Sequence, residues 1–129
     1  MIPANELQVG NRIKAPVPPF NSIEEVEVIT IDNNEIVVKI KGGQTGINPV
    51  NAQPIELTEK WLRDHGFQIM KLNDASFTNG SVVFYLYAKP GEAGWYEDRN
   101  YTIKCNYVHQ VQYAYKKNCG QDFPLPPLA

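Results

Sequence analysis

The sequence has too few cysteines to be held together by disulfides. Its 129 residues include only Cys105 and Cys119. The helix predicted between them would hold their Cα atoms roughly 20 Å apart, whereas a disulfide needs about 7 Å or less. Neither cysteine belongs to a Cys-x-x-Cys pair, and with two histidines the chain shows no zinc-ligand spacing. We therefore expect reduced thiols in a cytoplasmic protein, with no metal and no cofactor.

Long apolar runs and an excess of one charge are also missing. The longest apolar or aromatic run, Val82 to Ala88, has seven residues, far short of the roughly 20 that a membrane helix needs. Twelve Lys and Arg against fourteen Asp and Glu give a net charge of −2, which removes the usual electrostatic case for a nucleic-acid binder. No phosphate-binding loop, dinucleotide glycine pattern, nucleophile elbow or HExxH motif occurs.

The N-terminal half is dominated by strand signals. Ile23–Asp32 alternates in the manner of a strand, and Glu35–Lys41 returns after an Asp-Asn-Asn turn, which predicts a hairpin. The glycines within residues 42–46 predict a flexible loop. Ile47–Ile55 is extended, but its two prolines make it an edge strand or a crossing segment. We predict a β-meander or SH3-like half over residues 1–56.

Two helices are predicted in the second half. Leu57–Phe67 has the period of a short amphipathic helix, with Thr58 as its N-cap and Gly66 as its stop. A second helix is expected from about Tyr107 to Asn118, with Asn106 as its N-cap. Both segments carry apolar residues at the spacing of one buried stripe.

Strands lie between these helices. Val82–Lys89 has apolar or aromatic residues on both faces, which predicts a central or doubly covered strand. Trp95–Cys105 is expected to return beside it. The order of strands, helix, strands and helix, without a parallel crossover, predicts an α+β fold built mainly from antiparallel strands. A helix–sheet–helix half would span residues 57–121, followed by a proline-rich tail over residues 122–129, all in one compact unit.

Three motifs follow one another along the chain: NELxxGN at residues 5–11, LTExWLxxxGF at residues 57–67 and YVHQxQ at residues 107–112. Their order and spacing resemble a family of small uncharacterised bacterial proteins, many of them phage- or prophage-encoded. The resemblance implies a lineage and a phage setting but no chemistry, because the family carries no activity to transfer. The YAYKK continuation at residues 113–117 and the tail depart from it. Separately, LxxGNxI at residues 7–13 resembles the start of many SH3-like barrels.

The most distinctive polar cluster is His109, Gln112 and Tyr113 on the predicted second helix. A histidine can exchange protons near neutral pH. Catalysis would also need a nucleophile or an orienting carboxylate, and the sequence places none beside His109. We therefore expect a structural histidine. A small hydrolase or metal enzyme acting through His109 and His65 is a distant alternative.

The chain has seven tyrosines and two tryptophans, residue types that are enriched at protein–protein interfaces. Most are expected in the core, but Trp95 and Tyr96 follow a glycine-rich loop and are expected to be exposed. The leading hypothesis is a non-enzymatic accessory protein that binds a protein partner through Trp95, Tyr96 and the face of His109, Gln112 and Tyr113. The alternative is a nucleic-acid-binding module that stacks bases on a sheet face, using Tyr85, Tyr87 and Tyr101 with Arg99, Lys104 and Lys116.

The C-terminal residues Pro124–Leu128 have the composition of a polyproline II ligand. Such segments are common at chain ends, so a plain terminal tail is the expected interpretation.

Overall fold

The computed structural model describes residues 2–128, and the chain divides into two compact units. Unit 1 is Met1–Ile55 with Pro126–Ala129, and unit 2 is Glu56–Leu125. The division after Ile55 lies one residue from the boundary expected from the sequence. Antiparallel strands dominate and two α-helices accompany them, which confirms the predicted α+β class.

Unit 1 is a four-stranded antiparallel meander. Its strands are β1 (Arg12–Val17), β2 (Ser22–Ile31), β3 (Ile36–Ile40) and β4 (Gly43–Ile47), and they pair in that order. The predicted hairpin is confirmed as β2 and β3. The four strands form an open sheet within the described part of the chain, so an SH3-like barrel is not confirmed.

The core of unit 1 follows from strand alternation. Ile13, Ala15 and Val17 on β1 are buried, as are Val26 and Val28 on β2. These side chains collect on one face because successive residues of a strand point to opposite sides. The segment after β4 closes over β1, where the backbone groups of Lys14 and Gln53 exchange two hydrogen bonds of 2.8 Å.

Unit 2 combines two helices with five short strands. The helices are α1 (Glu59–Asp64) and α2 (Val108–Cys119). The strands are β5 (Gln68–Ile69), β6 (Ala75–Asn79), β7 (Val82–Leu86), β8 (Trp95–Tyr96) and β9 (Lys104–Cys105). β5, β6 and β7 form one antiparallel sheet, and β8 pairs with β9. Tyr87 and Tyr96 join the two sheets, because each backbone N–H donates to the other's carbonyl, at 2.8 and 2.7 Å.

The helix ends follow capping chemistry. The Thr58 hydroxyl accepts from the Trp61 N–H at 3.0 Å, so the predicted N-cap of α1 is confirmed. The prediction that Asn106 caps the second helix is wrong by one residue, since Tyr107 holds that position. The cause is Gln110, whose side-chain oxygen accepts from the backbone N–H groups of Tyr107 and Asn106.

Aromatic rings fill the core of unit 2. Phe67, Phe77, Phe84 and Tyr115 are buried, and Phe123 joins them from beyond α2 with 5 % of its surface exposed. The segment predicted as a plain tail is therefore anchored in the core at its start. Sequence periodicity gave no sign of this, because a single ring between polar residues and prolines has no helical or strand repeat.

Gly66 allows a close approach between the end of α1 and this core. Its φ is +93°, and a Cβ there would lie 3.2 Å from Cε2 of Phe77, whereas Gly80 has a φ of +63° and no atom within 4 Å of a Cβ. We expect Gly80→Ala to lower the free energy of unfolding by about 1 kcal/mol through backbone strain. Gly66→Ala should cost about 2–3 kcal/mol, because it adds displacement of a packed ring. Urea denaturation measures both, and equal costs would contradict the role of Phe77.

Candidate binding surface on unit 2

The sheet of unit 2 has a core face and a solvent face. On β7, Phe84 and Leu86 are buried, whereas Val83 and Tyr85 are exposed to 46 % and 38 %. The prediction of a central or doubly covered strand is wrong, because β7 stands at the edge of the sheet formed by β5, β6 and β7, and only one of its faces is covered. Its second apolar face is turned to solvent, which is the feature that marks an interaction surface.

The solvent face of β7 continues onto β8 and β9 through the pairing of residues between neighbouring strands. Tyr87 pairs with Tyr96, and Tyr96 pairs with Lys104. Side chains of directly paired residues stand on the same side of a sheet. The loop between β8 and β9 adds two more side chains that contact these tyrosines. We call the resulting surface the tyrosine face: Tyr85, Tyr87, Tyr96, Tyr101, Arg99 and Lys104.

On the β7 side of the tyrosine face, two tyrosine rings stack and an arginine lies against one of them. The Tyr85 and Tyr87 rings are 6.1 Å apart between centroids and nearly parallel. The Arg99 guanidinium carbon lies 5.6 Å from the Tyr87 ring centroid, and its Nε donates to the Tyr87 hydroxyl at 3.4 Å. This hydrogen bond raises the pKa of Arg99. The cation–π contact and the hydrogen bond together hold Arg99 at the ring.

The β8 side repeats the same chemistry. Tyr101 meets Tyr96 edge to face at 5.6 Å between centroids, and Lys104 Nζ lies 5.8 Å from the Tyr96 centroid. The Tyr96 hydroxyl donates to a Glu92 carboxylate oxygen at 2.7 Å. This hydrogen bond raises the pKa of Tyr96, so the phenol stays protonated at neutral pH.

Asp98 shapes the loop that presents Arg99 and Tyr101. Its carboxylate accepts from the backbone N–H groups of Thr102 and Ile103, each at 3.0 Å, and from the Thr102 hydroxyl. The hydroxyl, as the largest cause, and these N–H groups lower the pKa of Asp98. Asp98 therefore remains charged and keeps the loop folded across the neutral pH range.

Trp95 is a predicted site residue that is less exposed than expected. It is half-buried and packs against the core cluster, and its indole N–H donates to the Asn73 carbonyl at 3.0 Å. The expectation that Trp95 and Tyr96 are exposed is not met, because both are half-buried. Neighbouring residues on β8 point to opposite faces, so Trp95 packs on the core and Tyr96 lies on the other side of the sheet.

The predicted cluster on α2 is divided by burial. His109 is 2 % exposed and stacks on the Tyr107 ring at 5.8 Å, Gln112 is half-buried, and Tyr113 is 47 % exposed. Lys117 Nζ lies 5.6 Å from the Tyr113 ring centroid. Burial of His109 agrees with a structural histidine, and Tyr113 is the member of the cluster that a partner could most readily reach.

The remaining groups predicted to carry chemistry stand apart. His65 stacks on Trp61 with 4.0 Å between centroids, and its Nδ1 lies 2.7 Å from the Trp61 carbonyl oxygen. Burial raises the pKa of the Cys105 thiol to about 12, so it is not a thiolate at neutral pH. Cys105 and Cys119 are both free thiols. Over residues 2–128, no group of three His, Cys, Asp or Glu side chains could hold a metal ion.

The structure thus brings together five of the six residues of the nucleic-acid alternative, with Tyr96 from the leading hypothesis added. The sixth, Lys116, forms an ion pair with Asp122 at 3.2 Å. Neither described helix has the length and apolarity that a bilayer crossing requires. Comparison with protein-family models, curated proteins and solved structures gives no match to this chain.

Proposed function

We propose that this chain is a non-enzymatic accessory protein that binds a protein partner through the tyrosine face. The supporting observation is the set of four adjacent tyrosine rings with Arg99 and Lys104 against them on the solvent side of a sheet. Tyr and Arg dominate binding energy at protein interfaces. Rings fixed by sheet register lose little conformational freedom on binding, which favours affinity.

The charges of the tyrosine face indicate the chemistry of the partner. Glu92 is engaged by the Tyr96 hydroxyl and by Lys89, whose Nζ is 3.9 Å away. Arg99 and Lys104 lie over tyrosine rings, and within residues 2–128 neither has a carboxylate at ion-pair distance. The partner we propose therefore presents apolar side chains next to carboxylates, which would meet the rings and the two cations respectively.

The proposal includes a cellular setting. Free thiols are typical of a reducing cytoplasm, and both cysteines are free. The resemblance to small bacterial and prophage-encoded proteins supports a bacterial cytoplasm in which phage or host proteins are the candidate partners.

A peptide-display selection tests the protein-binding proposal. The wild-type chain is used for selection, and the double variant Tyr85→Ser/Tyr87→Ser is used for counter-selection. We expect enriched peptides that combine apolar and acidic residues, and a loss of affinity of about 100-fold in the double variant, as for two interface anchors. Isothermal titration calorimetry on synthetic peptides measures the loss, with urea midpoints to show that the variant is folded.

Tyr113→Ser is the matched control, because Tyr113 is an exposed tyrosine beside its own lysine on α2. It should bind the selected peptides with wild-type affinity. If Tyr113→Ser lost binding while the double variant bound fully, the peptide site would lie on α2 and not on the tyrosine face. The proposal would be contradicted if every selected peptide bound the wild type and the double variant equally well.

Single-stranded nucleic acid is the second candidate, because cations flanking tyrosine rings also suit stacked bases. Glu92 and Asp98 lie beside the same rings, and the net charge is −2, which disfavours phosphate. Fluorescence anisotropy with a labelled oligothymidine over a salt series decides between the two. Affinity that falls steeply with salt would support nucleic acid, and a flat or absent response rejects it.

A further inference from the structure

A cavity of about 460 Å³ lies in unit 1, away from the residues of the tyrosine face. The residues around it include Val17, Val26, Ile40, Glu24 and Lys41, and the terminal segment Pro126–Leu128 forms another wall. Part of this cavity is thus built by residues 126–128.

Arg12 connects the terminal segment to the sheet. Only 5 % of Arg12 is exposed, and its guanidinium is held by Glu25 at 3.1 Å and Glu27 at 3.2 Å. Its Nη2 donates to the Pro126 carbonyl at 2.6 Å. A buried guanidinium is stable when its donors are satisfied in a fixed geometry. Here two donors meet carboxylates and a third meets a main-chain carbonyl, a group that every peptide offers.

The chemistry of the occupant follows from the segment in place. Proline fixes φ and has no N–H, so a proline-rich segment stays extended and keeps its carbonyls available as acceptors. Such a segment loses little conformational entropy when it binds. The positive charge of Arg12 is already matched by Glu25 and Glu27, so the groove suits a neutral segment such as Pro126-Pro127-Leu128.

We propose that the surface of unit 1 on which Pro126–Leu128 lies, beside Arg12 and next to the cavity, is a groove for an extended proline-rich peptide of a partner, and that the chain's own segment competes with that peptide. This site is independent of the tyrosine face. A tethered segment has an effective concentration in the millimolar range. The partner peptide therefore binds weakly until the terminal segment is displaced or removed.

The test compares two forms of the protein with one probe. The probe is fluorescein-labelled Pro-Leu-Pro-Pro-Leu-Ala, the sequence of residues 124–129. The proteins are the full chain and a chain that ends at Leu125, which keeps the core residue Phe123. We expect the shortened chain to bind the probe about tenfold or more tightly than the full chain, because its competitor is gone. Fluorescence anisotropy measures both affinities.

Three controls keep the test specific. A probe with both central prolines replaced by glycine should bind the shortened chain about tenfold more weakly, since its extended form is no longer preset. Arg12→Lys in the shortened chain should weaken binding, because lysine lacks the planar fork of donors. The Tyr85→Ser/Tyr87→Ser double variant of the shortened chain should bind the probe normally, which separates this site from the proposed function.

If the shortened chain does not fold, the full-length variant Pro126→Gly/Pro127→Gly replaces it, because this variant keeps the chain length and the carbonyl groups. Equal affinity of the probe for the full chain and for the weakened-tail protein would overturn the proposal. The proposal would also be overturned if the weakened-tail protein did not bind the probe at millimolar concentration. The same holds if the glycine probe bound as tightly as the proline probe.

Discussion

Phe123→Ala is expected to lower the free energy of unfolding of unit 2 by about 3–5 kcal/mol. The Phe123 ring is 5 % exposed, and its centroid lies 4.7 Å from Phe77, 5.2 Å from Tyr115, 5.8 Å from Phe67 and 6.0 Å from Trp61. Truncation removes the buried ring and leaves a cavity among four others. Urea denaturation followed by tryptophan fluorescence is well suited, because both tryptophans, Trp61 and Trp95, lie in unit 2.

Leu72→Ala is the control for this change. It shortens an apolar side chain of the same unit that is 83 % exposed, so its effect should stay within about 0.5 kcal/mol. A small effect of Phe123→Ala, similar to that of Leu72→Ala, would mean that residues beyond α2 are a dispensable tail, as the sequence alone suggests.

Local signals were sufficient for the parts of the fold that local chemistry decides. The hairpin of β2 and β3 follows from two β-branched runs around an Asp-Asn-Asn turn, and the start of α1 follows from Thr58. β4 was different. Its sequence Gly43–Ile47 predicts a loop, yet it forms a strand because β3 offers a full row of backbone partners from Ile36 to Ile40. Pairing within the sheet overrides weak propensity.

The sequence alone could not show which aromatic residues make up the tyrosine face. The alternation of Tyr85 and Tyr87 was visible in the sequence, but alternation cannot say whether a second layer covers them. Likewise Trp95 and Tyr96 are adjacent in sequence and both half-buried, and only strand parity separates the ring that packs on the core from the ring on the other side of the sheet. Strand parity was therefore the available signal, and it required knowing that Trp95–Tyr96 pairs as a strand.

Arg12 was beyond sequence reasoning for a related reason. Its place on β1 puts it on the side opposite Ile13 and Ala15, which are core residues. On that side an arginine is expected to be exposed, as Lys14 is. Burial arises because Pro126, 114 residues further along the chain, accepts a hydrogen bond from it. No periodic pattern records a contact over that separation.

Arg12→Gln is expected to destabilise unit 1 by about 3 kcal/mol. The variant loses the contacts to Glu25 and Glu27 and the bond to Pro126, together with the packing of the aliphatic stem. The value lies at the low end for a broken buried pair, because these carboxylates are 43 % and 35 % exposed and stay hydrated. All seven tyrosines and both tryptophans lie in unit 2, so amide hydrogen exchange is the suitable measurement for unit 1.

In that experiment the amides of β1 and β2 should lose about 100-fold in protection, since every 1.4 kcal/mol is a factor of ten. Lys14→Gln makes a comparable change two residues away on the same face of β1, where the side chain is exposed, and should change protection by less than about threefold. Similar protection in both variants would show that the guanidinium contributes nothing to the meander. In that case the bond between Arg12 and Pro126 would hold only the terminal segment, and the peptide groove would have to form without support from the carboxylates of β2.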